Sequence, residues 1–248
     1  LQESPLQKYK VHRGLCRKEV IMHNIAIDGP AGAGKSTIAR LAAEKLGFIY
    51  VDTGAMYRAM ALYFIRNGIS GDNETAVSEA CKDINVSIEY KDGEQVVILN
   101  GENVNAFIRT EQVSMMTSDI SKYKAVRAKL LDIQRNIAAA EDIIMDGRDI
   151  GTCVLPYAET KIYLTASVSE RARRRYKEQE ARGAACDLEE LEQDIIKRDR
   201  QDMERETSPL KQAEDAVLLD TSDMSIEDAV SAVVKIYQAG KGGSNEGS

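Results

Sequence analysis

The sequence predicts an α/β fold: a five-stranded parallel sheet flanked by helices, with a small antiparallel insertion and a charged helical region. Three observations point to it. Short apolar runs alternate with amphipathic stretches of helical period, the order that gives parallel strands covered on both faces. The ends of these runs carry aspartates, at Asp28-Gly29, Asp52-Thr53-Gly54, Asp146-Gly147-Arg148-Asp149 and Asp220-Thr221. One stretch alone changes period, "VSIEYKDGEQVVILNG", which alternates on either side of Asp92-Gly93 as a hairpin does.

Taken in order, "NIAIDG" (24–29) reads as a buried strand stopped by glycine. The helix "STIARLAAEKLG" follows, with Ile38, Leu41, Ala42 and Leu46 on one face and Gly47 at its end. "FIYVD" (48–52) is the second strand and "AMYRAMALYFIRNG" the second helix, closed by Gly68. Residues 83–110 form the insertion, and a long helix is expected over about 119–140. "DIIMDG" (142–147), "KIYLTAS" (161–167) and "AVLLDTS" (216–222) complete the sheet. A strongly charged helical region spans about 168–206, interrupted near Gly183. The core is thus expected over 22–82, 111–167 and 207–239. Residues 1–21 read as an amino-terminal extension, with the functional chain starting near Met22, and 240–248 as a disordered tail.

The charged region holds an unusual stripe. At about 100° per residue, Leu188, Leu191 and Ile195 share an arc with Arg198, Asp202 and Arg205. The stripe is apolar, then ionic, running either from core to water or from core to a binding site. Its neighbours Lys197, Arg200, Glu204 and Glu206 read as a solvated face.

Composition narrows the chemistry. A net charge of -7 and the absence of tryptophan disfavour a general nucleic-acid grip. Four scattered cysteines and two histidines, His12 and His23, give no thiolate or histidine metal site and suit a reducing, cytoplasmic setting. No apolar run reaches the roughly 18 residues needed to span a bilayer, so no membrane is expected.

"GPAGAGKS" satisfies G-x-x-x-x-G-K-[ST] between a strand and a helix: Gly29, Pro30, Ala31, Gly32, Ala33, Gly34, Lys35, Ser36, with Thr37 next. Glycines there let backbone N–H groups converge on phosphate oxygens at a helix amino end. Lys35 would bridge the outer phosphates and Ser36 would ligate Mg2+; Thr37 is the alternative hydroxyl. Asp146, closing an apolar strand, is the candidate to position the metal directly or through water. No N-K-x-D guanine reader is present, which favours a small kinase using ATP. A phosphate-bearing acceptor would need several cations, and Thr53, Arg58, Arg148 and Arg205 stand beyond strand ends or at the end of the stripe.

With these blocks in view, the chain resembles the bacterial-type cytidylate kinases of the P-loop nucleoside monophosphate kinase superfamily. The resemblance rests on "IAIDGPAGAGKST", "YVDTGAMYRA", "IRTEQVS", "MDGRDIGTCVLP", "KIYLTAS", "RDRQDMERETSPL" and "VLLDTSDMS", in family order across about 22–237. It implies transfer of the ATP terminal phosphate to CMP, and to dCMP, with Mg2+, by a monomeric enzyme of pyrimidine metabolism. It implies that Thr53, Arg58, Arg148 and Arg205 hold the acceptor phosphate, with Tyr57 also at the CMP site. Ser118, Arg127 and Asp149 would read cytosine, and Arg198 and Asp202 would contact the ribose. Arg171, Arg174 and Arg175 fall where the family's lid carries arginines for the ATP phosphates. The base chemistry agrees, since a carboxylate accepts from the cytosine amine but would face a carbonyl in uracil. Asp149 also reads as an ion-pair partner for Arg148 or Arg127. No general base is assigned. The alternatives are a kinase for another monophosphate such as UMP, a non-catalytic nucleotide sensor, and an RNA-binding P-loop domain.

Overall fold

The computed structural model describes residues 22–91, 93–181, 183 and 186–242. The extension expected over 1–21 and residues 243–248 of the tail lie outside the described residues.

Five parallel strands form the main sheet: β1 (Asn24–Asp28), β2 (Ile49–Asp52), β6 (Ile143–Gly147), β7 (Thr160–Thr165) and β8 (Val217–Asp220). Their order is β2-β6-β1-β7-β8, so the first strand is central. Register pairs Ile27 with Asp146 and Ile162, which brings the carboxyl ends of β1, β6 and β7 level with one another. Crossovers leave β1 on both sides of the sheet, and ligands collect at such a reversal.

Helices α1 (Lys35–Leu46) and α8 (Ile226–Gly242) cover one face. Ile25, Ile27, Ile162 and Leu164 pack there on Ile38, Ala42, Val230 and Val233. On the other face, Ala26, Val51, Ile143 and Met145 meet Ala138 of α5 (Lys124–Ala140) and Ile150 and Val154. A further cluster joins α2 (Thr53–Arg66) and α3 (Glu74–Ala80) to the insertion, around Phe64, Met60, Val97 and Leu99. The insertion is a three-stranded antiparallel sheet of β3 (Val86–Lys91), β4 (Glu94–Leu99) and β5 (Glu102–Asn103).

Three expectations need correction. The helix expected over 119–140 is two helices, α4 (Glu111–Ile120) and α5. Tyr123 is buried at the break and its hydroxyl donates to the Gly71 carbonyl, so the chain turns to seat the ring. The tail expected from 240 begins as helix, because α8 runs to Gly242. The charged region is α6 (Val168–Ala181) and α7 (Leu188–Glu204), but Leu188 is 42% exposed. It sits in the first turn, and the apolar packing against Ala172 of α6 begins only at Leu191 and Ile195.

Candidate active site

Between β1 and α1 the phosphate-binding loop is fixed by backbone shape. Gly29 has φ +148°, and a Cβ there would lie 1.9 Å from the Leu164 carbonyl oxygen, so no other residue fits. Gly34, at φ +90°, opens α1 with no side chain capping the helix, which leaves its amino-terminal N–H groups directed at the loop. Lys35 is buried with Nζ donating to the Pro30 carbonyl at 2.7 Å. Burial pushes its ammonium down to about 7, and Arg148 adds to the shift. Ser36 Oγ donates to Asp146 Oδ2 at 3.0 Å, and Tyr50 Oη donates to Oδ1 at 2.8 Å. Burial, with Asp52 beside it, raises the Asp146 carboxyl.

Facing the loop, the ends of β2, β6 and α7 deliver an arginine cluster. Arg58 Nη2 donates to Asp52 Oδ2 at 2.8 Å, and Asp52 also caps α2 through the Ala55 N–H. Thr53 Oγ1 donates to the Asp146 carbonyl at 2.7 Å, tying β2 to β6 beside it. Arg148 Nε donates to Asp202 Oδ2 at 3.0 Å, and Arg205 Nε to the Ser208 carbonyl at 2.7 Å. Burial alone would raise the Asp202 carboxyl, but Arg148 and Arg205 outweigh it and hold it low. Burial and Arg148 push Arg198 down to about 10. Three buried guanidinium nitrogens, Arg58 Nε, Arg198 Nε and Arg205 Nη2, have no hydrogen-bond partner among the described residues. Unmatched cationic donors in such a setting are costly until an anion meets them.

Asp149 and Arg127 form an ion pair at the edge of this cluster, and Arg127 lies over the Tyr57 ring at 5.6 Å. The second Asp149 oxygen is 3.8 Å from Arg205 Nη2, outside hydrogen-bonding range. Ser118 on α4 donates to Gln201 of α7 at 2.9 Å. Arg205 stands just past the end of α7 with extended backbone (ψ 139°), so it reaches the cluster from a cap and not from the helix projection.

The lid arginines divide. Arg171 does not line the cleft: it is buried, with a two-pronged pair to Asp199 and further bonds to the carbonyls of Ala166 and Ala31. All three of its guanidinium nitrogens are engaged in joining α6, α7 and the phosphate loop. Arg174 does line the cleft, donating to the Ala33 and Thr221 carbonyls while paired with Glu170. Arg175 lies on the Arg198 side, close enough to lower that guanidinium.

One continuous cleft of about 750 Å³ joins these parts. Its lining includes Lys35, Ser36, Arg174 and the Thr221–Ile226 turn at one end, and Arg58, Ser118, Arg127, Asp149, Arg198, Asp202 and Arg205 at the other. A model of the cytidylate kinase family matches residues 25–239. Similar proteins named cytidylate kinase include that of Caldicellulosiruptor bescii, 48% identical over 214 residues (86% of this chain, 95% of that protein). The protein of Citrifermentans bemidjiense is 50% identical over 204 residues (82% and 87%), and that of Carboxydothermus hydrogenoformans 47% over 212 (86% and 96%).

The chain belongs to the cytidylate kinase family.

It is therefore a nucleoside monophosphate kinase, and no helix among its described residues is long and apolar enough to cross a membrane. Several groups that shape this cytidylate kinase's cleft were not singled out from sequence. Tyr50 holds Asp146, while Gln95 of the insertion takes both backbone groups of Asp52, accepting its N–H at 2.9 Å and donating to its carbonyl at 3.1 Å. Asp199 looks like one more charge of a solvated run, yet it is buried against Arg171. Asp28 is buried too, accepting two backbone N–H groups, and burial raises its carboxyl to about 6. Helical spacing, four residues after Ile195, could have flagged Asp199 only; the others depend on contacts 43 to 123 residues away in sequence.

Proposed function

We propose that the chain transfers the terminal phosphate of ATP to CMP, and also to dCMP, with the triphosphate on Gly29–Thr37 and the monophosphate on the arginine cluster opposite. The observation that carries this reading is that Arg58, Arg198 and Arg205 line one cleft with the phosphate loop, each with a buried guanidinium nitrogen that has no hydrogen-bond partner among the described residues. Such a cluster suits an acceptor that is itself a phosphate. The end lined by Arg174, Lys177 and the Thr221–Ile226 turn has room and apolar surface for the ATP base.

Within this reading, Thr53, Arg58, Arg148 and Arg205 orient the acceptor phosphate, with Tyr57 backing Arg127. Asp149, Arg127 and Ser118 meet the cytosine edge, the unshared Asp149 oxygen accepting from the exocyclic amine. Arg198 and Asp202 meet the ribose. Lys35, with Arg148, Arg205 and Arg174, neutralises charge on the transferred group, which is the main demand of phosphoryl transfer. Ser36 and Asp146 fit Mg2+, being a hydroxyl and a carboxylate 3.0 Å apart, the oxygen donors this ion takes together with substrate phosphates. Bound there, the ion would screen negative charge between the phosphates. Arg171 serves this reading indirectly, through its hold on the Ala31 carbonyl.

The free thiols of Cys81, Cys153 and Cys186 suit a cytoplasmic location, and a cleft complete within one chain supports a monomer. Steady-state kcat/KM with CMP, dCMP, UMP and AMP tests the reading. CMP and dCMP should be used well and UMP at least about tenfold worse, the value of one charged hydrogen bond. Equal or better use of UMP or AMP would sink the cytosine assignment. ATP binding without turnover on any monophosphate would favour a nucleotide sensor.

A further inference from the structure

Asp28 closes β1 immediately before the phosphate loop, but its side chain serves the other half of the cleft. It is 4% exposed, and its carboxylate divides between two consecutive backbone donors. Oδ1 accepts from the Ile150 N–H and Oδ2 from the Gly151 N–H, both at 2.7 Å. These N–H groups open the π-type turn Ile150–Val154, which has no side-chain cap from its own preceding residue, Asp149. The Asp149 carbonyl in turn accepts from the Cys153 and Val154 N–H groups. Asp149 is thus pinned by its backbone on one side and by Asp28 beyond it, while its carboxylate faces the cleft. Space behind the turn is also closed: a Cβ on Gly151 would lie 3.1 Å from Lys161 Cδ and 3.4 Å from Asp28 Oδ2.

We propose that Asp28 is a positioning residue for acceptor selection: it fixes the Gly147–Gly151 turn so that Arg148 and Asp149 meet the monophosphate in register with the phosphate loop. The claim rests on the reading above in which Asp149 faces the acceptor base. Only a two-oxygen acceptor satisfies both donors, which are buried with their residues and have no water-facing alternative. An asparagine keeps the shape but presents an amide N–H to one of them. The turn then shifts, whereas the loop that follows Asp28 is held separately by Gly29 against Leu164. Acceptor recognition should therefore suffer most, and donor recognition little, since Asp28 bears on Lys35 only through its charge and least among that ammonium's charged neighbours.

The test is steady-state kinetics of Asp28→Asn with CMP, UMP and ATP varied in turn. Expected are a KM for CMP raised about fivefold or more, as for one lost buried hydrogen bond, a KM for ATP within about twofold, and a reduced CMP-over-UMP ratio of kcat/KM. A generally loosened protein would not change that ratio. Parallel rises in both KM values, or an unchanged ratio, overturn the proposal. Should Asp28→Asn not be recovered folded, Gly151→Ala decides, since it crowds the turn with the carboxylate intact. The same split in that variant supports positioning, and wild-type constants for CMP refute it. Asp149→Asn separates the two claims. If it retains full CMP preference, the base assignment fails, and the KM split alone then judges Asp28. If it loses that preference and Asp28→Asn does not, the proposal alone fails.

Discussion

Lys35 offers the sharpest quantitative test of the donor side. Its ammonium is buried and repelled by Arg148, which together outweigh the nearby Asp146, Asp202 and Asp28 and set it at about 7 in the ligand-free protein. A triphosphate on the loop would surround it with negative charge and restore the protonated form. ATP binding should therefore take up a proton wherever the free protein has lost it. With a free value of about 7, roughly one molecule in eleven is charged at pH 8, so binding takes up ~0.9 proton there and ~0.1 at pH 6. Affinity should fall by up to ~10-fold per pH unit above 7. Titration calorimetry in magnesium-free buffers of different ionisation enthalpy measures the uptake, with Lys35→Met as the blank. At pH 8 the ATP terminal phosphate is already ionised and contributes nothing. The stability sign follows as well. The folded value lies below the unfolded 10.5, so the unfolded chain binds more protons between about pH 7 and 10.5. Stability from this group rises with pH through that window, and Lys35→Met should melt higher than wild type at neutral pH while losing turnover with every acceptor. Equal proton uptake by wild type and Lys35→Met at pH 8 would refute the reasoning.

The acceptor side and the lid give three more expectations. Asp149→Asn should bring CMP and UMP toward equal kcat/KM, since an amide can turn either its oxygen or its nitrogen to the base; the loss of preference is about 10-fold or more. Asp202→Ala should raise the KM for CMP by at least ~10-fold and that for ATP by less than ~2-fold, because its contacts are Arg148 and Arg205 on the acceptor side; an ATP-selective effect contradicts the ribose assignment. Arg171→Met should lower stability by ~3–5 kcal/mol in denaturant unfolding, because it strands the buried Asp199, and Arg171→Lys should recover little without the two-pronged fork. Arg174→Ala should instead raise the KM for ATP with a small change in stability, and the reverse pattern would undo the division of the lid arginines.

Much of the fold was legible because its signals are local. Apolar runs ending in Asp-Gly, the glycine-rich loop and the Asp92-Gly93 hairpin each declare themselves within ten residues, and all five strands are where the runs lie. The ionic half of the stripe reaches the cleft at Arg198 and Asp202, where helical period carries both. Period fails at its ends. Leu188 has the right phase but overhangs the α6 packing surface, and Arg205 reaches the cleft after the helix has stopped. The break at Ser121–Tyr123 is invisible to hydrophobic period, because it exists to bury one tyrosine against Gly71. What no local signal could supply is the role of a charge that bonds across the sheet. Arg171 was expected at the ATP phosphates from its place in an arginine-rich lid, yet Asp199, 28 residues away, claims its fork. Asp28 likewise meets its partners 122 residues further along the chain.

The central claim is that one cleft holds ATP at Lys35 and Arg174 and CMP at the facing arginines, with Asp149 on the base. A crystal structure with CMP and a non-hydrolysable ATP analogue measures this most directly. The expected complex has the CMP phosphate on Arg58, Arg148 and Arg205 and the cytosine amine on the Asp149 oxygen that Arg127 leaves unshared. A CMP phosphate seated on the Gly29–Thr37 loop, or a cytosine that never meets Asp149, would contradict it.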